Sequence, residues 1–385
     1  MRILIGGDFA PTTYNFELFR NSEKEKLYGE KLLEYASGFD YRVFDFECCL
    51  GEKGDKEVRK FGPVITAPYE TINGVACIKP SLMILANNHA YNLLNKGLVG
   101  TISALQKEGI YSCGAGTNLS DARKPYVFEK DGVRVGIYAC AEHEFNYAKA
   151  SNGGVNPYDP LYSYDDVAEL KKSCDQVIVI YHGGLIEFRY PLPNERRRLK
   201  RFIEKGADLV IGQHTHCVGA EEEFKGKKII YGQGDFFFAR PTRNEYRESG
   251  LLLDLDISKD AIKVGYEVRI LDGDTVRLAT SEERDEVLKK YGERNEILKD
   301  ENLFLGEYKK MLNERRNIYL SALIGRKRRG ILYRGLNKIT NRVFGSKYME
   351  LNYGTEDWLC LTNFTECETH YEILSDLFKE GWDIE

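Results

Sequence analysis

Five clusters along the sequence carry side chains that bind cations and move protons: Asp8; Asp45 with Glu47; the run Asn87, Asn88 and His89; His182; and His214 with His216 around Thr215. Neutral imidazole, carboxylate and amide oxygen together suit a divalent ion such as Mn, Fe, Zn or Co. None of the clusters contains a cysteine, which argues against a structural thiolate zinc site. Two imidazoles separated by one residue can point toward neighbouring ions. A divalent ion lowers the pKa of its water to about 7 and polarises a phosphoryl or carbonyl oxygen. The chemistry on offer is hydrolysis, and these residues alone do not separate an ester from an amide.

Such side chains act together only if the fold brings them together. Up to about residue 270, short Val- and Ile-rich runs alternate with helical stretches, the pattern of an α/β fold with a buried sheet. Strands are expected at 3–6, 43–46, 82–86, 134–139, 177–181, 209–212, 229–231, 251–256 and 264–270. Helices are expected at about 96–108, 165–173 and 194–205, the last opening after Pro193 and Asn194 and closing at Gly206. Every one of the polar clusters falls at the carboxyl end of a strand, the rim where open α/β sheets bind ligands. Four of the six histidines sit there.

Composition narrows the alternatives. The 385 residues are 42% hydrophobic, enough to bury one or two cores. The balance of 55 basic against 60 acidic residues gives no global attraction to nucleic acid or anionic lipid. No apolar run reaches the roughly 18 residues of a membrane span. The opening strand meets Asp8 after a few apolar residues, which argues against an export signal. Nine cysteines, an odd number, form no CxxC pair and fit a reducing cytoplasm.

Taken in order, Gly7-Asp8, Phe46-Glu47, Ala86-Asn87-Asn88-His89, His182-Gly183-Gly184, the stretch 206–216 ending in His214-Thr215-His216, and the stretch 226–236 ending in Gly234-Asp235-Phe236 resemble the CapA family. These are poly-gamma-glutamate capsule synthesis proteins of the calcineurin-like metallophosphoesterase superfamily. The resemblance spans roughly residues 1–270. It implies an α/β fold, a four-layer metallophosphoesterase-like β-sandwich flanked by helices, with one or two divalent ions (Mn, Fe, Zn or Mg) at its rim. Carried over by position, it makes Asp8 and His216 ligands of one ion, Asn88, His182 and His214 ligands of the other, and Glu47 the bridging acid. His89 takes the place of the catalytic histidine. The implied function is hydrolysis of a poly-gamma-glutamate-like or other anionic bacterial polymer, or of a phosphoester, in capsule or exopolymer biosynthesis. The alternative is a noncatalytic capsule or envelope factor that binds such a polymer and recruits it to a membrane synthase.

Three departures stand out. The superfamily's Asp-x-His reads Asp8-Phe9-Ala10 here, so one imidazole is missing. Asp45 replaces an Asn and adds a carboxylate. The usual His-Trp-Gly and Gly-Asn-Phe read His182-Gly183-Gly184 and Gly234-Asp235-Phe236, which removes a substrate wall. Substrate contacts are expected from Asp45, Asn87, His143, Arg189, Asp235 and Arg240, with Arg243 beside the last. His370 reads as structural.

Beyond residue 272 the composition turns to Glu, Lys and Arg with apolar residues at helical spacing. A division into a domain at 1–272 and a helical extension at 273–385 is expected. Within the extension, 326–347 holds eight basic residues and no acidic one. This segment is expected to dock on the acidic body or to contact a membrane surface or a synthase; nucleic acid is not expected. A cytoplasmic chain, peripheral at the inner membrane if that segment binds lipid, is the implied location.

Overall fold

The computed structural model describes residues 1–241, 244–324 and 354–380. The basic segment 326–347 and Arg243 lie outside the described residues. The strand Arg2–Ala10 starts the chain and becomes the middle of a mixed sheet. It pairs in parallel with Tyr41–Asp45, and from there the sheet runs on through Leu82–Ile84 to Tyr111–Cys113. On its other side follow the antiparallel strands Ser249–Ile257, Ile262–Asp272 and Thr275–Leu278, so the sheet extends past residue 272. A second mixed sheet runs Glu221–Phe224, Lys227–Ile230, Leu209–Gln213, Gln176–His182, Val133–Ala141 and Tyr126–Lys130.

The alternation of side chains across a strand stacks these sheets face to face. In Gln176–His182, the residues Val177, Val179 and Tyr181 pack outward against Leu199 and Phe202 of the helix Pro193–Glu204 and Val167 of the helix Ser163–Lys171. Ile178 and Ile180 turn inward and share a core with Ile5, Val43 and Leu253 of the first sheet. His182 continues that inward row. Helices Leu94–Lys107 and Glu30–Ser37 cover the first sheet through Leu98, Leu105 and Leu32. The result is the four-layer sandwich implied by the resemblance, helix to sheet to sheet to helix.

The expected strands and helices form, with ends displaced by a few residues. The helix expected from 194 starts at Pro193, where a missing N–H costs nothing, and Glu195 Oε2 accepts from the Leu192 N–H at 3.0 Å. Short elements between residues 16 and 37 had no clear periodicity and were not expected. After Leu278 the described residues are helical: Ser281–Lys299, opened by a capping box between Thr280 and Glu283, then Glu301–Ile324, Thr355–Glu366 and Glu368–Glu380. No described helix is long and apolar enough to cross a membrane. All nine cysteines are free thiols.

One irregularity aims the site. The pairing of Arg2–Ala10 with Tyr41–Asp45 shifts register between Ile5 and Asp8, bringing Asp8 opposite Asp45. At this bulge Gly7 passes so close to a neighbouring segment that a Cβ would lie 1.8 Å from the Gly234 carbonyl oxygen. The close approach lets Phe236 N–H donate to Asp8 O at 2.8 Å and seats Asp235 beside Asp8. Gly7→Ala is therefore expected to destabilise the fold by about 3 kcal/mol or more. A thermal melt within about 2 °C of wild type, the width of an ordinary surface change, would contradict this reading.

Candidate metal centre

Strand ends from both sheets converge on one buried polar cluster. Glu47, His182 and His214 each place one ligand-type atom within 4.8 Å of the others, and so do Asp8, His216 and Asp235. Glu47 lies between these groups: its Oε1 is 3.7 Å from His182 Nε2 and its Oε2 is 3.7 Å from His216 Nδ1. Asn88 joins the first group, with its Oδ1 3.3 Å from His182 Nε2. In the second, His216 Nδ1 is 2.7 Å from Asp235 Oδ1 and 3.1 Å from Asp8 Oδ2. His214 and His216 both sit at positive φ, 88° and 54°, a strained turn that directs two imidazoles from one short loop into the cluster.

The electrostatics of this cluster call for a cation. Both oxygens of Glu47, Oδ1 of Asp8 and Oδ2 of Asp235 are buried acceptors that find no hydrogen-bond donor among the described residues. Burial holds Glu47 well above the usual carboxylate range, and neighbouring Asp8, Asp45 and Asp235 push it further. Burial likewise raises Asp8, and it lifts Asp235 to about 6 against the pull of Arg247, Arg269 and Arg240. Desolvation drives His182 down to about 4 and His214 to about 3, the neutral form in which imidazole is a ligand. Carboxylates that repel one another and neutral imidazoles form a donor set that a divalent cation reconciles, since its charge inverts the local pKa logic.

The remaining expected residues fall in several places. His89 lines the cavity above the cluster, its Nε2 3.6 Å from Glu47 Oε1. Asp45 was expected at the substrate. Instead its Oδ2 is 2.9 Å from His182 Nδ1 and its Oδ1 accepts from Asn87 Nδ2 at 2.7 Å, so it orients an imidazole from behind. Asn87 is turned away as well: its Oδ1 accepts from the backbone N–H groups of His89 and Ala90 and shapes the turn that presents His89. Asp45→Asn keeps this shape but loses the charge. Metal affinity at the His182 group should fall about 10- to 100-fold, measured by competition with a chromophoric chelator.

His143 was also expected at the substrate, yet it is turned to Glu368, 2.7 Å from its Oε1. The next residue reaches the centre: Glu144 accepts from Asn88 Nδ2 at 3.0 Å and lies 3.6 Å from His214 Nε2. The strand Val133–Ala141 ends before it and Phe145 sits at φ 62°, so no periodicity marked Glu144 in the sequence. Arg189 donates to Val218 O at 2.9 Å, stacks on Tyr246, and borders a different surface depression. Arg240 does line the cavity, its guanidinium 4.6 Å from the Phe238 ring centroid. Asp235, expected at the substrate, is turned to His216 and Asp8.

Lys60 and Arg247 were not anticipated from the sequence. Lys60 is buried beside the cluster and donates to Asn88 O at 2.9 Å. Arg247 is buried in the cavity wall 3.8 Å from Asp235 Oδ2. His370, read as structural, bonds the Tyr319 hydroxyl at 2.7 Å and also lines the cavity.

Comparisons agree with this picture at the level of family. Residues 2–240 match the family described as bacterial capsule synthesis protein PGA_cap. The PGA biosynthesis protein CapA of Bacillus subtilis (strain 168) is 28% identical over 190 residues, 49% of each chain. The capsule biosynthesis protein CapA of Bacillus anthracis is 27% identical over 212 residues, 53% of this chain and 50% of that one. A probable polyglutamine synthesis accessory protein of Mycobacterium tuberculosis (strain ATCC 25618 / H37Rv) is 30% identical over 210 residues, 51% of this chain and 55% of that one. The chain thus spans about half the length of the curated relatives it matches. Among solved structures, a hypothetical protein from Thermus thermophilus superposes with a TM-score of 0.44 at 15% identity, covering 70% of this chain and 98% of that one. A putative 5'-nucleotidase from Staphylococcus aureus superposes with a TM-score of 0.42 at 13% identity, covering 76% and 58%. By the match over 2–240, which includes every residue of both ligand groups, the chain belongs to the bacterial capsule synthesis protein PGA_cap family.

Proposed function

We propose that this chain is a metal-dependent hydrolase of capsule or exopolymer biosynthesis, acting on an anionic polymer of the poly-gamma-glutamate kind or on a phosphoester. The observation that carries the reading is the convergence of orphaned buried carboxylate oxygens on neutral imidazoles. Asp8, His216 and Asp235 would hold one ion, and Asn88, His182 and His214 the other, with Glu47 offering one oxygen to each. Asp235 would supply that first ion with a carboxylate, in a chain where Ala10 stands at the place of the first motif's histidine. When bound, the ions supply Lewis-acid polarisation of the scissile group and acidify an attacking water.

The side chains of the chain then divide the work. Asp45 fixes the ring orientation of His182. Arg247 and Arg240 attract and orient the substrate anion. His89 donates its Nε2 hydrogen toward the oxygen or nitrogen on which charge develops.

Chelation should abolish hydrolysis of p-nitrophenyl phosphate or of poly-gamma-glutamate, and added Mn should restore it. Turnover indifferent to chelator would overturn the reading. A noncatalytic polymer-binding factor is the second reading, favoured by the missing imidazole at Ala10. A Mn-loaded chain that binds poly-gamma-glutamate with no turnover on either substrate would establish it.

A further inference from the structure

The helices Thr355–Glu366 and Glu368–Glu380 and the end of Glu301–Ile324 lie outside the family-matched segment, yet they wall the cavity above the ligand groups. They are fastened to the sandwich at buried Glu142, whose Oε1 accepts from Thr369 Oγ1 at 2.8 Å and from the Tyr181 hydroxyl at 3.0 Å. Glu368 adds a clasp on His143, accepting its backbone N–H at 3.0 Å. Apolar contact completes the joint: Leu185 and Leu192 of the sandwich share a cluster with Met311, Phe364 and Ile373. With this wall in place, the rim becomes a cavity of about 370 Å³ whose floor includes His89, His214 and His216. That is at the small end of the range for sites that enclose a small molecule.

The lining specifies what fits. Arg240, Arg247 and Arg315 face the cavity with Lys60 against one lining carboxylate, Glu144, and Arg247 is also 3.1 Å from Glu187, an excess of positive charge in a chain whose net charge is −5. Arg247 Nη1 and Arg240 Nε are buried donors that find no hydrogen-bond acceptor among the described residues. From the helical wall, Asn363 is 4% exposed and its Oδ1 finds no donor among the described residues. Buried polar groups in that state are costly unless a partner arrives. An anion answers the guanidinium groups, and a hydroxyl or N–H answers Asn363. Phe61 and Phe364, with rings 6.1 Å apart edge to face, give the same space an apolar side.

We infer that the C-terminal helices are the specificity element of the site. They close it into a pocket for one compact anionic unit, phosphoryl or carboxylate, that carries a hydrogen-bond donor and an apolar face. The inference rests on the hydrolase reading above. It makes the chain act on polymer ends or small esters, not on internal linkages. In each turnover the oxygen of water bonds to the phosphoryl or acyl atom, the bond to the leaving oxygen or nitrogen breaks, and that atom takes the proton.

The test uses the full chain loaded with Mn, given poly-gamma-glutamate of defined length, glycerol phosphate, and p-nitrophenyl phosphate, whose leaving group has no donor. End-acting hydrolysis releases single units from the polymer, or cleaves the monoesters, without mid-length fragments. Asn363→Ala should raise KM for glycerol phosphate about tenfold, and leave KM for p-nitrophenyl phosphate within about twofold, with metal content unchanged. Arg315→Ala, a more exposed position that tests the wall independently, should raise KM for both esters about tenfold. Mid-length fragments, or wild-type KM values in both variants, would overturn the inference while leaving the hydrolase standing. A metal-loaded chain inert on all three substrates would remove the hydrolase reading and this inference with it.

Discussion

His89→Ala is expected to lower kcat by about 10²- to 10⁴-fold while leaving the bound metal in place. The side chain of Asn92 decides why. Its amide nitrogen donates to Ile65 O at 3.2 Å and lies 2.9 Å from His89 Nδ1, so Nδ1 accepts and the ring hydrogen resides on Nε2. That nitrogen faces the cavity 3.6 Å from Glu47 Oε1, too far to bond it and near enough to meet a substrate atom above it. Burial first, then the nearby Lys60 and imidazoles, hold His89 well below the ordinary histidine pKa, so the ring works as a neutral hydrogen-bond donor to developing charge. Elemental analysis beside steady-state kinetics checks this. Wild-type kcat in a folded His89→Ala chain would remove His89 from the chemistry, and loss of metal would make it a ligand instead.

The second large effect belongs to Glu47→Gln, which keeps the shape and deletes the charge shared by both ligand groups. Metal content and turnover should both fall to background. Stability should change in opposite directions with and without metal. In chelator the wild type buries an acid that must be either ionised without a donor among the described residues or protonated at a cost, so the neutral amide should raise stability by on the order of 1–3 kcal/mol. In Mn the order reverses, because only the wild type gains binding free energy on folding. Thermal melts of both proteins in chelator and in Mn read this crossover directly. Parallel shifts in the two conditions would mean that Glu47 is a packing residue.

The strand-end residues were legible because period-two strands and carboxyl-end loops are local properties. Val177 to Tyr181 announces a strand whose next residue, His182, sits on its rim, and nothing distant is needed to see it. The neighbours of Asp235 were not legible because they are set by topology: Phe237–Phe238 pairs with Phe9 and Ala10, which lie at the far end of the domain's sequence. The hydrogen bonds of Asp45 and Asn87 were hidden for a related reason, since a strand-end polar residue serves equally well behind an imidazole as in front of a substrate. Lys60 and Arg247 lie in loops without periodicity, and Asn363 sits on a helix whose cavity-facing side depends on the Glu142 anchor. The resemblance carried the sandwich and the order of its motifs, and stopped where the helical wall began.

Anomalous diffraction at the Mn edge, from crystals of the full chain grown with Mn, tests the two-group arrangement most directly. The account predicts one peak among Asp8, His216 and Asp235 and another among Asn88, His182 and His214, with an oxygen of Glu47 touching each. A Mn-soaked crystal with no peak at either group, or with those side chains splayed beyond ligand distance, would contradict it.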